Sequence, residues 1–202
     1  MKTNNEIDPS AFKIAVVGAG SWGTALADLL ACKGFKISLW VFETEVREQI
    51  EQSQENKFFL PGHTLSTNIS PSNDLAAVVA DKNLIVIVVP SHLMRAITKK
   101  MAGHLAGDTA VVSASKGIEQ KTHLTMSGVI IENLTEVTEG RLAVLSGPSF
   151  AKEVVQKIPT SVTVACRNSD CAAAVQHVFA TPYFRVYTSN DVVGVELGGA
   201  VK

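Results

Sequence analysis

Three glycines constrain the fold of this 202-residue chain more than any other feature: Gly18, Gly20 and Gly23, spaced as GxGxxG. They follow the β-branched apolar run FKIAVV and open the segment WGTALADLLACKG, in which leucines recur at helical spacing. A strand, a tight turn and a helix are therefore predicted in that order. The missing Cβ lets Gly18 turn sharply, Gly20 stay open and Gly23 bring the helix close to the strand.

The same spacing marks a dinucleotide site when it joins a strand to a helix. The open backbone at Gly20 lets a pyrophosphate approach, while the helix start offers free N–H groups and the positive end of the helix dipole. Because the spacing alone is a weak signal, a purely structural glycine turn is the alternative. Trp22, within the motif, is expected either to face the cofactor or to pack against the sheet.

The rest of the chain alternates apolar runs with helical patterns, which predicts parallel strands with helical crossovers. Further strands are expected at KISLW, NLIVIVVP, TAVVSASKG and RLAVLSGPSF, between the helical segments ETEVREQIEQSQ, SHLMRAITKKMAGHL and HLTMSGVIIENLTEV. The later segments PTSVTVAC, SDCAAAVQHVFA and FRVYTS either extend this sheet or flank it in a more mixed arrangement. The predicted fold class is α/β, a doubly wound and mostly parallel sheet of the Rossmann type.

The composition changes at residue 190, after which Val, Gly, Ala and Leu recur at helical spacing. One long buried helix is expected to begin there. We therefore divide the chain into a dinucleotide-binding domain of the Rossmann type over residues 1–189 and the first helix of an all-helical substrate domain over residues 190–202. The remainder of that second domain is expected to lie beyond this sequence.

Charge and composition argue against several classes of partner. A formal net charge of −1, with Lys and Arg scattered along the chain, gives no basic patch for nucleic acid. The longest apolar run, residues 84–90, is too short for insertion into a membrane, and the polar N-terminus has no signal-peptide core. Three cysteines without a CxxC pair predict neither a disulfide framework nor a metal site. We expect a cytoplasmic protein that binds no metal.

An acidic residue follows the second predicted strand. Glu43 comes 20 residues after Gly23, where a carboxylate can accept hydrogen bonds from the ribose hydroxyls of adenosine. An acid at a helix start, without a ligand, is the alternative for this residue. Phe42 has no charge to pair with a 2′-phosphate. Both residues therefore favour NAD over NADP as the cofactor, although Arg47 nearby leaves NADP open.

Two loops follow strands at the edge where open α/β sheets bind ligands. Lys116 lies in the first loop, where it can meet a phosphate or polarise a carbonyl; a solvated loop lysine is the alternative. In the second loop Gly147 is expected to form a turn that presents the hydroxyl of Ser149. His92 follows an earlier strand and is interpreted as a residue of the next helix's first turn, in preference to a catalytic group.

Five motifs occur in the order VGAGSWGTALA, VVPSH, SASKGIE, SGPSFAKEV and GVELGGAVK. In order and spacing they resemble the N-terminal half of the bacterial-type NAD(P)-dependent glycerol-3-phosphate dehydrogenases. That family combines a Rossmann-type domain with a helical C-terminal domain and interconverts dihydroxyacetone phosphate and sn-glycerol 3-phosphate for phospholipid synthesis. The resemblance implies NAD or NADP as cofactor, these phosphates as substrate and product, and a homodimer when the protein is full length.

The resemblance also implies roles for individual residues. The residues that it adds as cofactor contacts are Ser21, Trp22, Lys116 and Ala151. Lys116 would also reach the substrate, in a site lined by Gly147 and Ser149. Lys202 would be the general acid and base, with Lys116 as the second catalytic group.

The chain departs from the family at two places. Phe42 stands where many members carry a basic residue near the adenosine ribose, which puts the usual NADPH preference in question. The family's later substrate-binding Asp and its Ser-Arg-Asn phosphate group have no counterpart up to Lys202.

Two other functions are considered. A reductase of another small hydroxy acid, such as a ketopantoate reductase-like enzyme, would share the architecture, but the motifs GPSFAKEV and LGGAVK argue against it. A nucleotide-binding module without catalysis is the other alternative, against which the presence of Lys116 and Lys202 argues.

Overall fold

The computed structural model describes residues 7–201, and the eight strands of this part of the chain form a single sheet. The strands are β1 (Lys13–Val17), β2 (Lys36–Trp40), β3 (Ile69–Ser72), β4 (Leu84–Ile87), β5 (Ala110–Ser113), β6 (Leu142–Ser146), β7 (Thr160–Cys166) and β8 (Phe184–Ser189). Their spatial order is β3-β2-β1-β4-β5-β6-β7-β8. The chain winds outwards from β1 and then, from β4, in the opposite direction, which confirms the doubly wound Rossmann-type prediction.

The sheet is mostly parallel, as predicted. Among the described strands, only β6 and β7 run antiparallel, with Ala143 opposite Cys166. β8 then pairs in parallel with β7. The segments after residue 159 therefore extend the same sheet, and one antiparallel pair makes that extension mixed.

Helices cover both faces of the sheet. They are α1 (Ser21–Cys32), α2 (Thr44–Ser53), α3 (Leu75–Val79), α4 (Met94–Met101), α5 (Met126–Asn133), α6 (Ala151–Val155), α7 (Ser169–Phe179) and α8 (Val192–Ala200). Short 3₁₀ helices at Ser91–Leu93 and Glu139–Arg141 precede α4 and β6. The side chains of Asp74, Thr125 and Asn168 accept hydrogen bonds from first-turn N–H groups of α3, α5 and α7, which is why these helices begin where they do.

Two elements between α2 and β4 were not predicted. β3 has the sequence ISPS, in which only Ile69 is buried, and it contains a proline. It lies at the edge of the sheet, where the N–H that Pro71 lacks is not needed by a further strand. α3 has only five residues, too few to produce a recognisable helical period.

The core forms two layers because successive residues of a strand point to opposite faces. On one face Ile14 and Val16 of β1 pack with residues of α1 and α7. On the other face Ala15 and Val17 pack with residues of α3, α4 and α5. A central strand buried on both faces reads as a continuous apolar run, and each large aliphatic side chain buried here contributes about 1.5–3 kcal/mol. This two-sided burial holds the ends of β1, β4, β5 and β6 in fixed positions.

The helix expected after residue 190 is present as α8, which begins after the capping residue Asp191. The burial expected for this helix is not seen among residues 7–201, where only Glu196 and Gly199 of its nine residues are buried. Its large exposed apolar side chains, together with the residue that follows the helix, are Val193, Leu197 and Val201. No helix among residues 7–201 has the length and apolar character needed to span a membrane.

Candidate functional site

The glycine turn connects β1 to α1, and its three glycines have different surroundings. Gly18 has φ +114°, and a Cβ there would come within 2.3 Å of the Val88 carbonyl oxygen. A Cβ on Gly23 would come within 1.9 Å of the Gly18 carbonyl oxygen. By contrast, a Cβ on Gly20 would meet no described atom within 4 Å. Gly18 and Gly23 are thus required by packing, whereas the space beside Gly20 is open.

A buried polar network that the sequence analysis missed holds this turn. The Ala19 carbonyl oxygen accepts hydrogen bonds from the Thr24 hydroxyl at 3.1 Å and from Asn56 Nδ2 at 2.8 Å. Asn56 is fully buried, and its Oδ1 accepts from the backbone N–H of Phe59 at 3.1 Å. Asn56 therefore ties the exposed loop that contains Phe58 to the glycine turn. The sequence did not reveal this role because Asn56 lies 37 positions from Ala19.

The N-terminus of α1 faces the same opening. Gly20 is the N-cap residue, no described side chain caps the helix, and the first turn contains no acidic residue. The positive end of the helix dipole is therefore not neutralised by a nearby carboxylate of this turn. Ser21 is exposed.

Trp22 packs against the sheet, which was the alternative to its facing the cofactor. Its half-buried side chain packs against the core, with its ring centroid 6.5 Å from that of Phe184 on β8. Contact between Trp22 and a cofactor stays a prediction.

Phe42 and Glu43 follow β2 at the same edge of the sheet. The Phe42 side chain is 73% exposed, and its ring lies edge-on to Trp40 with 6.1 Å between ring centroids. Glu43 is the N-cap residue of α2, but its side chain makes no capping hydrogen bond. Glu43 thus lies at a helix start, as its alternative interpretation predicted, and its side chain is exposed; contact with a ribose stays a prediction.

Arg47, which left NADP open, already has carboxylate partners. One guanidinium nitrogen lies 2.5 Å from Oε2 of Glu51, and the other lies 3.1 Å from Oε1 of Glu48. A 2′-phosphate at this corner would have to compete with both carboxylates for the guanidinium.

The loops after β5 and β6 meet at the carboxyl edge of the sheet. Lys116 Nζ donates a hydrogen bond to the carbonyl oxygen of Gly147 at 3.1 Å, and the Ser149 N–H donates to the same oxygen at 2.9 Å. Gly147 is tightly packed, since a Cβ there would come within 2.8 Å of the Ser161 carbonyl oxygen. The structure thus brings together the three residues that the sequence placed in one site.

The loop that carries Lys116 is anchored at two points. Gly117 has φ +125°, and a Cβ there would lie 2.9 Å from Cβ and Oγ of Ser91. Further along, Arg95 of α4 donates two hydrogen bonds of 2.8 Å to the carboxylate of Glu119 and a third to Glu132. This packing limits the positions that the loop can adopt.

In the second of these anchor points, Arg95 and Glu119 each stabilise the charged form of the other. Hydrogen bonds from Arg95, and then from the Thr122 hydroxyl, lower the pKa of Glu119 from 4.5 to about 2. The two carboxylates in turn raise the pKa of Arg95. At neutral pH the anchor is therefore an ionised, bidentate pair, and the sequence analysis missed it.

The remaining predicted residues lie around this edge. Ala151 is the first residue of α6, which packs against α1. His92 is exposed within the 3₁₀ helix before α4, which confirms its interpretation as a residue of a first helical turn. Lys202 lies outside the described residues. Gly199, three positions earlier, is so close to β6 that a Cβ would come within 2.4 Å of Ser146 Oγ.

Metal ligation has no support in the described part of the chain. Among residues 7–201 no group of three or more His, Cys, Asp or Glu side chains is arranged to hold a metal ion. Cys32, Cys166 and Cys171 are free thiols.

Comparison with known proteins identifies the family. Residues 13–172 match the family model described as "NAD-dependent glycerol-3-phosphate dehydrogenase N-terminus". The chain belongs to this family. A glycerol-3-phosphate dehydrogenase [NAD(P)+] from Syntrophobacter fumaroxidans is 51% identical over 94% of this chain and 56% of the relative. A second, from Syntrophotalea carbinolica, is 49% identical over 94% of this chain and 57% of the relative.

A solved structure agrees with this family assignment. Glycerol-3-phosphate dehydrogenase from Coxiella burnetii superimposes with a TM-score of 0.87 and 34% identity, covering 93% of this chain and 57% of that one. The chain thus spans a little over half the length of the family members that it matches.

Proposed function

We propose that this chain is the dinucleotide-binding part of a cytoplasmic NAD(P)-dependent glycerol-3-phosphate dehydrogenase. The complete enzyme interconverts dihydroxyacetone phosphate and sn-glycerol 3-phosphate, and so supplies phospholipid synthesis. The observation that carries the proposal is the meeting of Lys116 with Gly147 and Ser149 at the carboxyl edge of the sheet that also holds the glycine turn. Family membership and the relatives' names support the same reaction.

The residues around the glycine turn fit a dinucleotide. The open backbone at Gly20 and the uncapped start of α1 suit the pyrophosphate, and Ser21 is exposed beside them. Glu43 can accept hydrogen bonds from ribose hydroxyls, while the exposed face of Phe42 suits the adenosine end of the cofactor. When bound, the nicotinamide supplies the hydride chemistry. Neither Phe42 nor Glu43 offers a positive charge to a 2′-phosphate, so NAD is the favoured cofactor.

Lys116 holds the substrate in this proposal. Its ammonium can stabilise the negative charge that develops on the carbonyl oxygen during reduction and can also attract the substrate phosphate. Ser149, whose backbone N–H donates to the Gly147 carbonyl oxygen beside Lys116, is proposed to bind the same small molecule through its hydroxyl. Because the site takes one anion locally, it does not need a basic surface elsewhere.

Lys202 gives and takes the proton at the substrate oxygen in this proposal. It is assigned to a helical substrate domain that begins near residue 190, and its role is supported by the family resemblance of the motif GVELGGAVK. The exposed apolar stripe Val193, Leu197 and Val201 on and after α8 would pack against the other helices of that domain. The complete enzyme is proposed to be a homodimer.

Two alternatives make different predictions. A ketopantoate reductase-like enzyme would reduce its own substrate in preference to dihydroxyacetone phosphate. A binding module would bind NADH and reduce neither compound. The match of residues 13–172 to the glycerol-3-phosphate dehydrogenase model favours the proposed enzyme over a ketopantoate reductase, and the presence of Lys116 and Lys202 argues against a binding module.

The test uses the full-length protein and its Lys202→Ala variant. The unchanged protein should oxidise NADH with dihydroxyacetone phosphate, but not with ketopantoate. The variant should lose about 10²- to 10⁴-fold in kcat, because it lacks the proton donor, while its Kd for NADH stays the same. Absence of turnover in the unchanged protein, or normal turnover in Lys202→Ala, would contradict the proposal.

A further inference from the structure

Helix α8 carries a buried carboxylate that has no role in the proposed reaction. Glu196 is only 6% exposed, although glutamate is seldom fully buried unless it is paired. Its Oε1 accepts a hydrogen bond from the backbone N–H of Ser127 at 2.7 Å, and its Oε2 accepts one from the Ser127 hydroxyl at 2.5 Å. Both carboxylate oxygens are therefore held by one residue of another helix.

Ser127 lies in the first turn of α5, where backbone N–H groups have no acceptor within the helix. The Thr125 side chain caps the N–H of Gly128, and Glu196 takes the N–H of Ser127. A carboxylate is also favoured at this end of a helix by the helix dipole. Without Glu196, the N–H of Ser127 would need a new acceptor in a partly buried place, while its hydroxyl would keep only the Thr125 hydroxyl, 3.1 Å away, as a described partner.

The same face of α8 lies against Lys116. Gly199 is three residues after Glu196 and therefore on the same side of the helix. A Cβ on Gly199 would come within 2.4 Å of Ser146 Oγ and within 3.8 Å of Lys116 Cγ. A small rotation or shift of α8 would thus change the space beside the Lys116 side chain.

We propose that Glu196 is a positioning residue: by joining α8 to the first turn of α5, its carboxylate fixes α8 beside Lys116. Glu196 acts through α8 and needs no contact with substrate or cofactor. The kinetic consequence rests on the proposed function, because it assumes that Lys116 binds substrate. The structural consequence, that α8 is held in place by this bond, is independent of the reaction.

The structural arm of the test measures backbone hydrogen exchange in the full-length protein. Glu196→Gln keeps the size of the side chain but removes its charge and one acceptor oxygen, so the two charge-assisted bonds to the N–H and the hydroxyl of Ser127 are lost or replaced by weaker neutral ones. Exchange in α8 and in the first turn of α5 should become at least about tenfold faster, while exchange in β1 and α1 is unchanged. The matched control is Glu45→Gln, the same change at an exposed position of α2, which should leave exchange in α8 unaltered.

The kinetic arm separates a positioning role from general destabilisation. In Glu196→Gln, kcat should fall about 10- to 100-fold, as expected for a small misplacement of reacting groups, while the KM for NADH stays within about twofold. Ser127→Ala removes the hydroxyl and its bonds to Glu196 and Thr125 but keeps the N–H bond to Glu196, so it should give a smaller loss of the same kind.

Several results would overturn the proposal. The first is that hydrogen exchange in α8 is unchanged in Glu196→Gln. The second is that exchange in this variant becomes faster throughout the sheet. The third is that exchange in α8 becomes faster while kcat stays normal. If the unchanged protein does not reduce dihydroxyacetone phosphate at all, the proposed function fails. The exchange arm still decides whether Glu196 holds α8.

Discussion

The Lys116 ammonium and the Gly147 carbonyl oxygen lie 3.1 Å apart and join the loops that follow two neighbouring strands, β5 and β6. The pair lies at the edge of the sheet where a doubly wound fold binds its ligands. Gly117 and Glu119 hold the Lys116 loop through contacts with Ser91 and Arg95. These contacts hold the loop that carries Lys116. A substitution of Lys116 should therefore report the effect of its side chain on catalysis, without a change in the loop.

Replacing Lys116 with methionine should remove the charge and keep most of the side-chain length. In the full-length enzyme we expect kcat/KM for dihydroxyacetone phosphate to fall by about 10²- to 10³-fold, because a positioned electrostatic donor is lost. The melting temperature should change little, since the lysine contributes little to the core. Lys121→Met, on the exposed part of the same loop, is the matched control and should keep normal kinetics. Equal kinetics in the two variants would show that Lys116 is a solvated loop lysine without a role in catalysis.

Two glycines of the turn should respond differently to an added side chain. Gly20→Val places its side chain in open space, so NADH binding should weaken by at least about tenfold while the protein stays folded. Gly23→Ala places a Cβ 1.9 Å from the Gly18 carbonyl oxygen, so the free energy of unfolding should fall by about 1–3 kcal/mol. Titration calorimetry and urea unfolding measure the two effects. Tight NADH binding by Gly20→Val would exclude pyrophosphate from this turn.

The preference for NADH or NADPH should depend on the residue at position 42. With Phe42 and Glu43 in place, NADH should bind at least as tightly as NADPH. Phe42→Arg adds a guanidinium at an exposed position near the expected 2′-phosphate, and it should shift the ratio of the two Kd values towards NADPH by about tenfold. Phe42→Leu, which adds no charge, is the control. A strong NADPH preference in the unchanged protein would show that another residue supplies the positive charge.

The Arg95–Glu119 pair predicts a defined pH dependence of stability. Because the pKa of Glu119 is lowered from 4.5 to about 2 in the folded protein, the ionised pair stabilises the fold fully above pH 4.5. This contribution is lost as the pH falls from 4.5 towards 2. The difference in free energy of unfolding between the unchanged protein and Glu119→Gln should therefore shrink over that interval, as followed by urea unfolding.

A control for this pH dependence removes the partner of Glu119. The free energy of unfolding of Arg95→Met is compared with that of the double variant Arg95→Met, Glu119→Gln over the same pH interval. The pH-dependent difference should be much smaller in this pair, because the main cause of the pKa shift is gone. An undiminished difference would assign the shift to Thr122 or to another group.

The sequence by itself determined the features that depend on neighbouring residues. Alternating apolar runs and helical periods predicted the doubly wound sheet, and the spacing of Gly18, Gly20 and Gly23 predicted the turn, because strand, turn and helix each follow from local backbone preferences. Lys116 and Gly147 could be assigned to one edge, since the carboxyl ends of parallel strands meet there. The short elements β3 and α3 carry too few residues for a period and were missed.

Only the tertiary structure decided which distant polar groups meet. Asn56 reaches the turn at Ala19 across 37 positions, and Glu196 reaches Ser127 across 69 positions. Neither pair has a local pattern, because a buried polar group takes the acceptor or donor that the fold brings next to it. The position of α8 beside Lys116 therefore follows from the chain topology, which no short segment of the sequence shows.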